Sequence, residues 1–377
     1  YKGIFKQHIP ENPSVNIYNR RNFQYDILQP RGYVAYNRDD GLFLGAGIRH
    51  TTHGFRKEPF EMQQEFRGFV SMLTKAWRFR YNLERTDAIG GTDLLASVDV
   101  RAPNNTINFF GQGNNTENKI DDGRGPQFYR TRFFQTDLAV LLRREIFPDI
   151  DLYYGPSLHF FSVDSTENRN RVIVKPDEIG FDTAGLFRKK NYAGFNAAIV
   201  IDNRNNEVYP TRGVLWTTKL DINRGLGSYT SDFTQLSSDM SVYISSNAPP
   251  RMVVAVRFGA AFNFGNYEFF QSQFLSGTEN LRGYRKYRFA GDKMVYNNLD
   301  VRIRLKNYQG YLFTGSYGLL LFHDVGRVWL KGEESSRWHN GYGGGLWISP
   351  ANRIVFTGSM MHSKEGWLPL VSLGFQF

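Results

Sequence analysis

The chain has 377 residues, of which 41% are apolar and 16% aromatic, and 37 residues are glycine. Its apolar runs are far shorter than the roughly 18 residues that a membrane-spanning helix needs, which excludes helical spans. The absence of cysteine excludes disulfides and thiolate-bound metal clusters. The net charge of +10 suggests an anionic partner. Because the basic residues are scattered rather than clustered, a charged lipid surface is favoured over nucleic acid.

The chain begins with a segment, residues 1–30, that lacks regular alternation and is predicted to be a pre-barrel segment or linker. From residue 31 to residue 377, apolar and polar residues alternate with period two, which is typical of β-strands. Residues rich in Gly, Pro, Asn and Asp divide this region into 16 segments. The predicted strands are 31–37, 42–53, 60–74, 76–86, 92–101, 127–146, 149–164, 191–203, 213–224, 231–246, 251–264, 293–306, 311–330, 339–349, 352–362 and 368–377.

These strands are predicted to cross a membrane. In Asn298–Leu305 every odd position is aliphatic and every even position is polar or charged. The strands of a soluble β-sandwich average about five to six residues, whereas many runs here reach about ten, the length that a tilted transmembrane strand needs. A propeller repeat of about 40 residues is not seen. Leu299 and Val301 should therefore face lipid, while Arg257 and Arg302 should line the lumen, because a charge facing mid-membrane lipid is costly.

Strand parity sets the predicted topology. Residues 106–111 could form a seventeenth strand, but single-chain bacterial barrels have an even number of strands with both ends in the periplasm. Residues Asn104–Gly113 are therefore assigned to an outer loop. With 16 strands, the long connections 102–126, 165–190 and 265–292 fall on one rim and the short turns on the other. The prediction is an all-β, 16-stranded antiparallel barrel in the bacterial outer membrane, with both termini in the periplasm.

Four motifs in chain order carry a resemblance. They are the turn Asp202–Gly213 with Asp202, Arg204, Pro210 and Gly213; the loop motif Leu281, Arg282, Gly283 and Tyr284; Phe322–Gly326; and the C-terminal stretch Val371–Phe377 with Gly374, Phe375 and Phe377. Together they resemble the BamA/TamA family, the bacterial surface antigen superfamily of outer-membrane assembly factors. The resemblance covers about residues 31–377. The aromatic-rich style around 101–114 is similar to members from Bacteroidota.

The resemblance implies insertion or translocation of proteins or lipids at the outer membrane. It implies outer-membrane lipid and lipopolysaccharide as surroundings, and client outer-membrane proteins or periplasmic and lipoprotein subunits as partners. Family members that fold other barrels carry POTRA modules before the barrel, and none is recognisable in this sequence. A second hypothesis is therefore a membrane anchor or exporter for a fused enzyme, such as a patatin-like lipase or a metallophosphoesterase. A third is a passive porin.

The loop 265–292 is predicted to fold into the lumen. At about 3.3 Å per residue, half of it can descend roughly 45 Å, more than the hydrocarbon thickness of about 30 Å. A guanidinium in a restricted cavity needs a partner. Asp300 and Asp324 both lie on lumen faces by alternation, and the family match favours an internal lock between them and Arg282. The alternative is that Arg282 is a solvated loop residue or binds a lipopolysaccharide phosphate.

The first and last strands are predicted to meet at a weak seam. The first strand carries Tyr33 and Tyr36, and the last contains Pro369, which cannot donate a ladder hydrogen bond. Few backbone bonds are therefore expected there. The terminal Gly374, Phe375 and Phe377 form the expected barrel-targeting signal.

No enzyme, metal or cofactor is predicted in this chain. His50 and His53 are spaced so that on a strand they face opposite ways and cannot share a metal ion. No nucleophile-elbow motif is present, and Gly341–Gly345 lacks the ending of a phosphate-binding loop.

Overall fold

The computed structural model describes residues 24–37, 41–54, 57–118, 125–175, 185–246, 249–277, 279–311, 314–351 and 353–377. Most of the predicted pre-barrel segment, residues 1–23, lies outside the described residues, so its role stays a prediction. Among the residues described, no helix is both long and apolar enough to span a membrane.

Most of the described residues lie in strands. Their bounds are β1 Ile27–Asn37, β2 Gly41–Thr52, β3 Met62–Ser71, β4 Trp77–Ile89, β5 Thr92–Asn108, β6 Arg130–Phe147, β7 Ile150–Ser162, β8 Lys190–Asp202, β9 Gly213–Gly225, β10 Phe233–Ser245, β11 Met252–Gly265, β12 Gln273–Leu275, β13 Phe289–Gly291, β14 Lys293–Gln309, β15 Thr314–Trp329, β16 His339–Pro350, β17 Phe356–Ser363 and β18 Gly366–Leu373. The helical elements among the described residues are one short helix, α1 (Gly125–Phe128), and 3₁₀ turns at Val172–Val174 and Phe269–Gln271.

Sixteen of these strands form one antiparallel sheet, in the order β1 to β11 followed by β14 to β18. The predicted number and order of strands are confirmed. The remaining two strands, β12 and β13, pair with each other inside the connection between β11 and β14. Because consecutive sheet strands alternate in direction, the three long connections all leave the same end of the sheet, which we call the outer end.

Most strand boundaries differ from the prediction by a few residues, and three of these differences bear on the seam and the outer end. β1 begins at Ile27 rather than Arg31. β5 runs on to Asn108, and Asn105–Asn108 pair with β6, so their assignment to an outer loop is wrong. The register shifts between Arg101 and Asn105, where a bulge accommodates a proline that cannot donate a ladder hydrogen bond. The last strand ends at Leu373 instead of continuing to residue 377.

The two faces of the sheet differ as the alternation predicts. On β14, Asn298, Asp300 and Arg302 are each fully buried at 0% exposure, whereas the aliphatic residues between them remain partly exposed on the other face. Arg257 on β11 donates through Nη1 to the carbonyl oxygen of Glu279, 2.9 Å away in the long β11–β14 connection. Both arginines therefore face the interior of the curved sheet.

The sheet curves far enough to bring distant strands together. The ring of Tyr209, in the β8–β9 turn, lies 5.2 Å from that of Trp347 on β16 and 5.4 Å from that of Phe375 near the C-terminus. Despite this curvature, no backbone ladder joins β1 to β18 among the described residues. The sheet thus has two strands with an unpaired edge, and the seam lies between them.

The apolar core lies inside the curve and consists largely of connections rather than strands. Towards the outer end, one aromatic cluster packs Phe109, Phe110, Tyr129, Phe133, Phe161 and Phe269. A second cluster packs the β11–β14 connection against β14 and β15 through Leu275, Leu281, Tyr284, Phe289, Tyr296 and Val328. The two clusters fill the interior of the sheet on this side. Each of their large apolar side chains stabilises the fold by about 1.5–3 kcal/mol on full burial.

Candidate functional site

The β11–β14 connection, which we call the internal loop (residues 266–292), enters the interior of the sheet as predicted. It starts with the 3₁₀ turn Phe269–Gln271 and forms a short hairpin from β12 and β13. The segment between these strands reaches the wall of the sheet. Leu281 is fully buried and Tyr284 is 4% exposed, so the motif that carries the family resemblance is packed inside the protein.

A tight turn aims the motif at the wall. The carbonyl oxygen of Ser276 accepts bonds from the backbone amides of Asn280 and Leu281, both at 3.0 Å, while the Asn280 side chain accepts from the amide of Ser276 at 2.8 Å. Gly277 has to be a glycine, because a Cβ there would lie 1.7 Å from the carbonyl oxygen of Tyr284. The turn from Ser276 to Leu281 thus fixes the direction of Arg282, which follows it.

Arg282 grips Asp324 on β15 with three donors. Its backbone amide donates to Oδ2 at 2.8 Å, Nε donates to Oδ2 at 2.7 Å, and Nη2 donates to Oδ1 at 2.6 Å. Arg282 is 2% exposed and Asp324 is 0% exposed. Charge-assisted, two-pronged bonds of this kind are among the strongest hydrogen bonds in proteins. This contact ties the internal loop to the barrel wall.

Asp300 on β14 shares the same arginine. Arg282 Nη1 lies 2.8 Å from Asp300 Oδ1, and Arg302 Nη2 lies 3.2 Å from Asp300 Oδ2. The two carboxylates and two guanidiniums balance in charge, which is what a buried cluster requires. The Arg282 guanidinium also lies 3.9 Å from the ring centre of Phe322. We call Arg282, Asp300 and Asp324 the internal lock.

Burial and charge act in opposite directions on Arg282. Burial alone lowers its pKa, but the hydrogen bonds to Asp324 and the charge of Asp300 raise the pKa above its ordinary value. Arg282 therefore stays charged. For Tyr284, burial raises the pKa to about 12, so its hydroxyl stays protonated at neutral pH.

Two glycines allow the close approach of loop and wall. Gly283 has a φ of +93°, a conformation that favours glycine, and its carbonyl oxygen accepts a bond from Ser363 Oγ on β17 at 2.6 Å. On β16, a Cβ at Gly341 would lie only 1.7 Å from the carbonyl oxygen of Arg282. The run of glycines in β16 thus gives the loop backbone room to lie against the sheet.

The turn motif lies at the opposite end of the sheet from the long connections. Arg204 donates through Nε and Nη2 to Asp202 at 2.8 and 2.7 Å, and bonding to Asp202 raises the pKa of Arg204. Pro210 is buried, and Gly213, at φ +112°, starts β9. The motif does not meet the internal lock directly.

Asparagines that the motif does not specify hold this turn closed. Asn205 Oδ1 accepts the amides of Thr211 and Arg212, each at 3.0 Å, and Asn203 Oδ1 accepts the amide of Val214 at 2.7 Å. Their signal in the sequence is weak, since asparagine is common in any turn.

The seam residues lie apart from one another. Tyr33 on β1 donates to Glu65 Oε1 at 2.8 Å on the inner face. The backbone of Tyr36 pairs with Leu42, and its side chain lies outside the described residues. Pro369 sits within β18, opposite Met360. The chain leaves the strand before Gly374, which has a φ of +86°.

The last residues turn inward instead of extending along the lipid face. Phe375 stacks under the Arg302 guanidinium at 4.0 Å, and Arg302 Nη2 donates to the carbonyl oxygen of Phe377 at 2.5 Å. Gln376 donates to the carbonyl oxygen of Glu279 in the internal loop at 2.7 Å. Arg302 was predicted only as a lumen residue. Arg302 follows Asp300 by two residues, so both side chains lie on the same face of β14. This spacing could have predicted that Arg302 joins the same cluster.

Comparison with known proteins gives the family. A model of the Omp85 superfamily domain matches residues 43–377. The search of curated proteins finds no match. Among solved structures, that of BamA from Haemophilus ducreyi lacking POTRA domains 1–3 is similar at a TM-score of 0.64 and 13% identity, covering 93% of this chain and 71% of that one.

Two CdiB structures are also similar. CdiB from Acinetobacter baumannii has a TM-score of 0.53 and 12% identity, covering 93% of this chain and 59% of that one. CdiB from Escherichia coli has a TM-score of 0.56 and 12% identity, covering 92% of this chain and 61% of that one. Such low identities show a shared fold. Because the family model matches most of the chain and confirms the resemblance seen in the motifs, this barrel belongs to the Omp85 superfamily.

Proposed function

We propose that the chain is the membrane barrel of a factor that inserts polypeptides into the outer membrane, or passes them across it, using the seam between β1 and β18. The observation that carries this proposal is the pair of free edges. β1 and β18 form no ladder with each other among the described residues. An unpaired edge offers backbone donors and acceptors to an extended segment, and strand addition is a recurring mode of peptide recognition.

The filled interior supports a gated barrel over a passive porin. The internal loop, the aromatic cluster and the inward-turned C-terminal residues occupy space that an open pore would need. In this proposal the internal lock stabilises the wall formed by β14 and β15, while the seam three strands further on stays free to open. Both termini lie on the periplasmic side.

The clients in this proposal are outer-membrane proteins or exported polypeptides, delivered by periplasmic or lipoprotein subunits. The outer face meets membrane lipid and lipopolysaccharide. An anchor for a fused enzyme would have no need of an open seam, so the state of the two edges also separates these two functions.

Photo-cross-linking along the barrel tests the proposal. A cross-linking amino acid at Val34, 65% exposed on β1, or at Val371, 70% exposed on β18, samples the two edges. Ile199, 44% exposed on β8, provides a matched control on a fully paired strand. We expect adducts with newly made β-barrel or exported polypeptides at both edges and few at Ile199. Equal yields at all three positions, or adducts with lipid alone, would contradict the proposal.

A further inference from the structure

At the outer end, the residues after β5 form a segment that closes over the interior. We call residues 109–118 the outer cap. Asn114 is 0% exposed and joins the cap to the β15–β16 connection. Its backbone amide donates to Glu333 Oε2 at 2.7 Å, and its Nδ2 donates to Ser335 Oγ and to the Arg337 carbonyl oxygen, both at 2.9 Å. The amide of Asn115 donates to the other Glu333 oxygen at 2.9 Å.

A buried arginine of the internal loop holds the other end of the cap. Arg288 is 3% exposed, and its guanidinium lies 4.8 Å from the ring centre of Phe110 and 4.4 Å from that of Phe289. It donates to Thr116 Oγ1 at 2.8 Å and to the Thr116 carbonyl oxygen at 2.7 Å. The third guanidinium nitrogen, Nε, donates to Glu365.

Glu365 lies in the two-residue turn between β17 and β18, so its bond with Arg288 connects the internal loop to the last hairpin of the sheet. The same carboxylate accepts a bond from Asn118 Nδ2 at 3.1 Å. One guanidinium thus bridges the internal loop, the outer cap and the last hairpin of the sheet. The hairpin is also held by the β16–β17 ladder, by the Ser363 bond to Gly283 and by the packing of Met361 and Leu368 in an apolar cluster.

We propose that Arg288, Thr116 and Glu365 form an outer latch that couples the outer cap to the β17–β18 hairpin, so that neither moves without the other. The inference rests on the proposed function, since it assigns the regulation of the same seam. β18 has a partner on one side only among the described residues. A charged contact at the tip of its hairpin is therefore placed to decide how readily that edge moves, and breaking it releases the Thr116 end of the cap in the same step.

Arginine suits this role better than lysine would. The guanidinium has five donors in a fixed fork, and here it engages a hydroxyl, a carbonyl oxygen and a carboxylate at once. Because Arg288 and Glu365 are both largely buried, at 3% and 16% side-chain exposure, removing either one leaves the other without its charge partner in a poorly solvated place. The cap and the hairpin should thus respond together to either substitution.

Hydrogen exchange of the full chain in lipid nanodiscs tests the latch without any client. Arg288→Ala is expected to speed amide exchange at least about tenfold, or about 1.4 kcal/mol, both in the cap around Gly113–Asn115 and in the hairpin 356–373. Exchange in β6–β10 should not change, which shows that the barrel has folded. Lys286→Ala is the matched control, because it removes a cation from the same loop without breaking this contact.

Glu365→Gln gives a second, milder variant should Arg288→Ala fail to fold. It keeps the shape of the side chain and removes the charge, and it should produce the same paired increase. Faster exchange in the cap alone, in the hairpin alone or in neither would overturn the coupling. Since no client is present, this result is independent of the cross-linking at the seam. A latch that behaves as expected in a barrel that captures no client would refute the proposed function and leave the latch intact.

Discussion

Replacing Arg282 with alanine should strongly destabilise the barrel. The variant loses two side-chain bonds to Asp324, at 2.7 and 2.6 Å, and the ion pair with Asp300 at 2.8 Å. Breaking a buried ion pair costs about 3–5 kcal/mol. The lower end applies here, because the backbone amide of residue 282 still reaches Asp324 and Arg302 still lies 3.2 Å from Asp300. A loss of about 3 kcal/mol lowers the folding equilibrium constant roughly a hundredfold.

A double-mutant cycle measures whether the contact is the cause. The free energy of unfolding is obtained from urea titration, and folding is checked by heat-resistant migration on a gel, for Arg282→Ala, Asp324→Ala and the double variant. Residues in one buried network couple by about 0.5–3 kcal/mol, and we expect a value above about 1.5 kcal/mol here. Arg282→Lys should restore stability only in part, because an ammonium cannot grip a carboxylate with two parallel bonds. Strictly additive losses would refute the internal lock.

Three further predictions concern the space around the lock, the β8–β9 turn and the lumen. Gly341→Ala should lower the folded fraction on the gel as strongly as Arg282→Ala, because the new Cβ would lie 1.7 Å from the Arg282 carbonyl oxygen. Gly358→Ala is the control and should leave the folded fraction unchanged, because no atom lies within 4 Å of its Cβ position. Asn205→Ala should lower the unfolding free energy by about 1–3 kcal/mol by leaving two backbone amides without their acceptor, while the neighbouring Glu207→Ala should change it little. Planar-bilayer recordings should show a low resting conductance that rises when the internal lock is broken; a large resting conductance would contradict the filled interior.

Alternation predicts the sheet well because burial on one face imposes a strict period of two. This is why the 16 strands, their order and the inward direction of Asp300, Asp324 and Arg302 follow from the sequence. Periodicity alone could not predict that Arg282 lies beside those carboxylates. A loop of this length can follow many paths, and only the resemblance to the family motif indicated this one.

Contacts between segments far apart in the chain could not be predicted. Arg288 contacts Thr116 and Glu365, which are both far from it in the sequence. No local sequence pattern identifies either residue as its partner. The extension of β5 was missed because residues 106–111 were considered only as a separate seventeenth strand, which the even strand number excludes, whereas the structure continues β5 past a register shift between Arg101 and Asn105. The end of β18 was misplaced because alternation continues to Phe377, while the packing of Phe375 under Arg302 turns the chain inward.

The most direct test of the central claim is the folding rate of a small client barrel in liposomes that contain this chain. Our account predicts faster client folding than in empty liposomes of the same lipid, because the free edges at the seam supply a template for strand pairing. It also predicts that the Arg282→Ala chain loses most of that acceleration, because the β14–β15 wall that has to stay fixed while the seam opens is weakened. Client folding that is no faster than in empty liposomes would contradict the account.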